Sequence, residues 1–207
     1  SNGDDDVAGF TVAETGGTSV SEAATTDNFT VVLDAEPASD VEITVVSADV
    51  GEAIVDQARL TFTPANWSVA QTVTVTGVDD ALTDGNQTTL VTLAVDPAAS
   101  DDAFDALPSQ TVSVTTLDDD AAGFTIAESG GGTTVTEAGS TDEFTVVLNT
   151  QPTTNVVLDV VSGDIGEATV DVSTLTFTSG NWNVAQRVTA TGVGDRFETF
   201  TDVRSAV

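Results

Sequence analysis

The segment DDDVAGFTVAETGG, beginning at Asp4, returns as DDDAAGFTIAESGG from Asp118, so the chain is written twice. Further on, DNFTVVLDAEP from Asp27 matches DEFTVVLNTQP from Asp142, and LTFTPANWSVAQTVTVTGV from Leu60 matches LTFTSGNWNVAQRVTATGV from Leu175. The offset is 114 residues at the start and 115 after one inserted glycine. Such a period is too long for a solenoid, whose units run about 20–45 residues, and it equals one β-sandwich of about 100. Each repeat is therefore expected to fold around its own core, and 207 residues suffice for two cores. The boundary is expected near Leu117 to Ala122, giving a first repeat at 1–117 and a second at 118–207.

Within the first repeat apolar residues alternate: Phe29, Val31 and Leu33; Leu60 and Phe62; Val73 and Val75; Val91, Leu93 and Val95; Val112 and Val114. This is the period of half-buried strands, and Thr fills many of the opposite positions. Turn pairs at Glu36-Pro37, Thr63-Pro64, Asp84-Gly85 and Asp96-Pro97 separate the runs. About seven short strands in about 110 residues predict an all-β chain of two tandem immunoglobulin-like antiparallel β-sandwich domains with Greek-key connections. After Val193 the second repeat departs, reading GVGDRFETFTDVRSAV where the first has GVDDALTDGNQTTLVTLAV. It is expected to lack its last two strands, and Arg196 and Arg204 fall in this divergent tail. Open strand edges there suggest a homodimer through strand addition or exchange. Trp67 and Trp182 each follow an LTFT strand and are expected to close one end of a sandwich, against a rival reading as sugar-stacking platforms.

Composition narrows the function. The sequence has 34 acidic and four basic residues, a net charge of −30, and no histidine or cysteine. Phosphate binding needs Lys and Arg, so nucleic acid is excluded as a partner and anionic membrane surfaces are disfavoured. Without cysteine there is no disulfide framework or thiolate site, and zinc would have only carboxylates. Ser-His-Asp and Cys-His chemistry is impossible. No apolar run approaches the ~18 residues of a membrane span, so no membrane insertion is expected. The N-terminus lacks the basic and apolar regions of a signal peptide, as a mature secreted fragment would.

The carboxylates cluster at Asp4 to Asp6, at Asp118 to Asp120, and in GVDDALTDG, where Asp79, Asp80 and Asp84 follow a strand. Two carboxylates about 5 Å apart repel by roughly 3 kcal/mol at an effective dielectric of ~20, and so few basic residues leave a metal cation to neutralise them. Oxygen donors without nitrogen or sulfur select calcium ahead of magnesium. The loop is not an EF-hand, because DDALTDGNQTTL lacks the alternating ligands and the closing Glu. The competing reading is solvation, in which an acidic coat stays hydrated in salty surroundings. If Asp118 to Asp120 leave the first sandwich toward the second repeat, an ion there would stiffen the connection.

Taken together, VSEAATTDNFTVVL, LTFTPANW, VTVTGVDD and the closing TTLDDD resemble the Calx-beta family of sodium/calcium exchangers and giant bacterial surface adhesins. The resemblance covers the first repeat and the second as far as Val193. It implies calcium ligands from an early Glu, a mid-domain Asp, acidic residues after the fifth strand and the terminal Asp triplet. Those positions are matched by Glu22, Asp49, Asp79, Asp80, Asp84, Asp118, Asp119 and Asp120. Glu14 rivals Glu22 as the early ligand, and Asp101 and Asp102 are further candidates. Glu residues are missing after the Asp pair, so about one to three ions are expected. The second repeat keeps Glu137 and Asp164 but loses part of the late loop, and no complete site is expected there.

The resulting expectation is a calcium-binding structural repeat of a large secreted or cell-surface adhesin, with neighbouring repeats of the parent chain as partners. The alternatives are a calcium-dependent glycan- or protein-binding module, or an accessory domain of an exoenzyme. Catalysis by this chain is not expected, because the one familiar route left is a carboxylate-pair hydrolase and few aromatics are present to hold a sugar.

Overall fold

Every alternating run of the first repeat is a strand in the structure, a computed structural model that describes residues 6–194. The chain divides into two units, Ser1–Asp119 and Asp120–Val207. In the first, the strands are β1 (Phe10–Glu14), β2 (Thr18–Ser21), β3 (Thr26–Leu33), β4 (Val41–Ser47), β5 (Ala53–Val55), β6 (Arg59–Phe62), β7 (Gln71–Gly77), β8 (Gln87–Val95) and β9 (Gln110–Leu117). They form two sheets in the orders β1-β3-β7-β5 and β2-β9-β8-β4-β6, so the chain crosses between layers repeatedly. Among its described residues the unit has nine strands, against about seven expected, partly because the opening strand is split. Gly16 and Gly17, both at φ 84, carry the chain from the edge of one sheet to the edge of the other, a conformation that Gly adopts without steric penalty. As a result β2 runs parallel to β9, the one departure from antiparallel pairing among the described residues.

The inward positions of both sheets make one core. Phe29, Val31 and Val73 meet Ile43, Phe62, Val91 and Leu93 across it, all buried. Burying such a side chain stabilises by about 1.5–3 kcal/mol, which is why the alternation dictates the register. Trp67 packs half-buried against this core, and its carbonyl accepts the Leu33 N–H at 3.2 Å.

The second unit repeats the pattern in part. Its strands are β10 (Phe124–Glu128), β11 (Thr141–Leu148), β12 (Val156–Asp159), β13 (Ala168–Val170), β14 (Thr174–Phe177) and β15 (Gln186–Gly192). The sheet β10-β11-β15-β13 copies β1-β3-β7-β5, and the pair β12-β14 copies β4-β6. Among the described residues nothing takes the places of β8 and β9, and residues 133–136, which match β2, form no strand. The tail beyond Gly194, with Arg196 and Arg204, lies outside the described residues, as do Asp4 and Asp5. Val146, Leu148, Leu175, Phe177 and Val188 form the smaller core, with Trp182 packed against it. No described helix is long and apolar enough to cross a membrane.

Candidate metal centre

One backbone hydrogen bond beyond the β2–β9 ladder builds the first carboxylate group. The Glu22 N–H donates to the Leu117 carbonyl at 3.2 Å, which sets Glu22 beside the segment leaving β9. The end of β2 fits here because β7 closes on Gly77, where a Cβ would stand 2.1 Å from the Ser21 carbonyl oxygen. Carboxylate oxygens of Glu22, Asp118 and Asp120 lie within 4.8 Å of one another. Glu22 is only 2% exposed, and its Oε2 accepts the Asp119 N–H at 3.3 Å.

A second group forms from Glu52, Asp80 and Asp84, again within 4.8 Å. Glu52 directly precedes β5, where its carbonyl accepts the Val78 N–H at 2.9 Å and the Thr116 hydroxyl at 3.1 Å. Asp80 shapes the following loop by accepting the Leu82 N–H at 2.6 Å. The Glu52 Oε2 atom is buried without a hydrogen-bond partner. Desolvation, followed by the charges of Asp84, Asp49 and Asp80, pushes its carboxyl above the ordinary value of 4.5. The two groups are tied together: Asp118 Oδ2 accepts the Gly85 N–H at 2.7 Å, and the Asp118 N–H donates to Asn86 Oδ1 at 3.2 Å.

Carboxylates so arranged repel one another, and a bound cation would relieve that repulsion. At 4.8 Å each pair repels by about 3 kcal/mol at an effective dielectric of ~20. The described arginines are engaged elsewhere, Arg59 with Glu42 and Asp96, and Arg187 with Glu143 at 2.7 Å. All-oxygen donors, one buried carboxylate and one buried oxygen without a partner fit a hard divalent cation, and these clusters are able to hold a metal ion.

Of the residues expected from sequence, the structure gathers Glu22, Asp118 and Asp120 in one group and Asp80 and Asp84 in the other. Asp49, Asp79 and Asp119 belong to neither. Asp49 is exposed, and its Oδ1 accepts the Gly51 N–H at 2.9 Å, close enough for its charge to act on Glu52. Asp79 is exposed, and Asp119 contributes its N–H to the site. Glu14 stays at the end of β1 and accepts the Thr18 hydroxyl at 3.0 Å, outside both groups.

Asp101 and Asp102 sit in the β8–β9 loop, at the opposite end of those strands from the β7–β8 loop that carries Asp80 and Asp84. Asp101 accepts N–H groups of Ala103, Ser39 and Ala38, which hold its carboxyl below the ordinary value for an aspartate. Glu52 was missed by sequence reasoning, although GEA recurs at 51–53 and 166–168 beside the Asp49 that was singled out. In the second unit Glu137 is exposed where Glu22 is buried, and no comparable group forms among the described residues.

No family model and no curated protein matches the chain. Among solved structures it is similar to the apo form of the Calx CBD1 domain, at 18% identity over 51% of this chain and 92% of that one, with a TM-score of 0.37. It is also similar to the calcium binding domain CBD12 of CALX1.1, at 16% identity over 87% and 74%, with a TM-score of 0.38. A third neighbour is SSP-19, an MSP-domain protein like family member of Caenorhabditis elegans, at 17% identity over 51% and 94%, with a TM-score of 0.33. Likeness at this level carries no argument about what this chain binds.

Proposed function

We propose that the first unit is a calcium-binding β-sandwich module and that the chain is a structural repeat segment of a large secreted or cell-surface adhesin. The observation that carries the calcium reading is the buried carboxylate of Glu22, held within 4.8 Å of Asp118 and Asp120. Glu22, Asp118 and Asp120 hold one ion, and Glu52, Asp80 and Asp84 hold another. Calcium supplies charge neutralisation and flexible oxygen coordination, a role that loop carboxylates suit. Because Asp118 and Asp120 stand in the segment that leaves β9, binding ties that segment to the first sandwich. The conformations open to the connection shrink, and a flexible string of repeats becomes stiffer.

The role proposed is mechanical rather than catalytic, with neighbouring repeats of the parent chain as partners. Both tryptophans pack against their cores, which favours the structural reading over a sugar-binding face. Calorimetric titration of the full chain with calcium tests the proposal. Micromolar to millimolar binding is expected, the range of extracellular and sensor sites. Asp118→Asn with Asp120→Asn should remove one part of the heat, and Asp80→Asn with Asp84→Asn the other. Absence of heat, or full heat in both double variants, sinks the assignment.

A further inference from the structure

Two inner rows of the first unit end in threonine. β8 turns Thr89, Val91 and Leu93 into the core and β9 turns in Val112, Val114 and Thr116, all buried. Thr89 stands opposite Val114 and Gln87 opposite Thr116, so the two threonines are diagonal neighbours on the inner face. Thr116 has a partner there, since its hydroxyl donates to the Glu52 carbonyl at 3.1 Å. Thr89 is 5% exposed, yet its Oγ1 meets no hydrogen-bonding group among the described residues. Valine would fill the same volume without burying a hydroxyl, and a hydroxyl buried unmet is unfavourable.

The segment that carries the chain from β4 in one sheet to β5 in the other passes over these threonines. The Ala48 N–H donates to the Leu90 carbonyl at 2.9 Å, and the Glu52 carbonyl accepts both the Thr116 hydroxyl and, from the end of β7, the Val78 N–H. Residues 48–52 thus close this end of the sandwich. Glu52 brings a second oxygen in the same condition, because its Oε2 is buried and meets no donor among the described residues. A carboxylate oxygen accepts only, whereas a threonine hydroxyl both donates and accepts. The two side chains do not bond to each other directly, and one water between them satisfies both: it accepts from the Thr89 hydroxyl and donates to Glu52 Oε2.

We infer that Thr89 and Glu52 hold a structural water inside the first unit, and that Thr89 is thereby a positioning residue for the group of Glu52, Asp80 and Asp84. The water restrains the direction of the Glu52 carboxylate, whose oxygen lies within 4.8 Å of those of Asp80 and Asp84. The water site stands whether or not a cation binds; only its effect on calcium rests on the function proposed above.

The test compares the full chain with Thr89→Val and Thr89→Ser by calorimetric melting in chelator. The valine keeps the volume and loses the hydroxyl, and the serine does the reverse. Thr89→Val is expected to melt lower than Thr89→Ser, and its loss should vanish in a Glu52→Ala background, where the partner oxygen is gone. An unchanged or higher melting temperature for Thr89→Val overturns the inference, because the hydroxyl would then be an unmet group whose removal helps. A loss that persists in Glu52→Ala also overturns it, since the two residues would act separately. A crystal structure of the chain grown in chelator should place a water oxygen within hydrogen-bonding distance of both atoms; a direct bond or a dry gap overturns the assignment. In calcium titrations Thr89→Val should weaken the step of Glu52, Asp80 and Asp84 by roughly tenfold and leave that of Glu22, Asp118 and Asp120 in place. An unchanged step refutes the positioning role. A wild-type chain that gives no calcium heat refutes the calcium reading instead, and the measurements in chelator still decide the water.

Discussion

Glu22→Gln should change the stability of the first unit in opposite directions with and without calcium. The substitution keeps shape and keeps an oxygen to accept the Asp119 N–H, so charge is the main variable. Without cation, the Glu22 carboxylate faces Asp118 and Asp120 within 4.8 Å, each pair costing about 3 kcal/mol at an effective dielectric of ~20. Asp118 and Asp120 are half-exposed, and solvent screening reduces the net relief to about 1–2 kcal/mol. For a domain near 100 residues that raises the melting temperature by about 5–15 °C in chelator. In saturating calcium the same substitution removes a buried ligand, and the melting temperature should fall below that of the wild type. Differential scanning calorimetry of both proteins in calcium and in chelator reads the two signs. A shift of the same sign in both conditions refutes the reasoning, because it would mean that Glu22 acts through packing rather than through charge.

Other outcomes follow from single features of the fold. Asp101→Asn should destabilise at neutral pH; its folded carboxyl lies below 3.8, so the stability it contributes is present above that value and lost as pH falls, and urea midpoints of variant and wild type should converge in acid. Ala24 sits at φ 57 where the matching residue of the second repeat is Gly139 at φ 80, so Ala24→Gly should stabilise by about 0.5–1 kcal/mol in denaturant melts. Gly77→Ala drives a Cβ into the Ser21 carbonyl oxygen and should cost about 2–3 kcal/mol. Gly192→Ala meets Thr136 in the same geometry, but 136 belongs to no strand and has room to move, so the loss in melting should be smaller.

Strands whose side chains alternate over several residues were legible. FTVVL in β3 and VTVTG in β7 announce their buried faces because one sheet face must be apolar, and VEITVVS in β4 carries the same signal. β5 is different: three residues are too few for a period, and its place beside β7 comes from tertiary pairing. The site divides in the same way. Asp118 and Asp120 are readable as neighbours, but the approach of Glu22 depends on a parallel β2–β9 ladder that no local pattern specifies. Glu52 escaped because its partners follow β7, a neighbour of β5 only through tertiary pairing, some thirty residues further along, where spacing carries no distance information. Asp49 was matched through the resemblance and Asp79 stood beside Asp80, yet in the fold the first caps a turn and the second is exposed.

The parallel alignment of β2 with β9 has a consequence under load. Tension applied between the two ends of the first unit pulls these adjacent strands along their length in opposite senses. The pairs from Thr18 with Val114 to Ser21 with Leu117 are then sheared together, whereas an antiparallel hairpin would unzip one bond at a time. The Glu22 to Leu117 hydrogen bond extends the same sheared patch by one step, and the carboxylate group stands at its end. An ion gripped there would act as a rivet at the end of that seam.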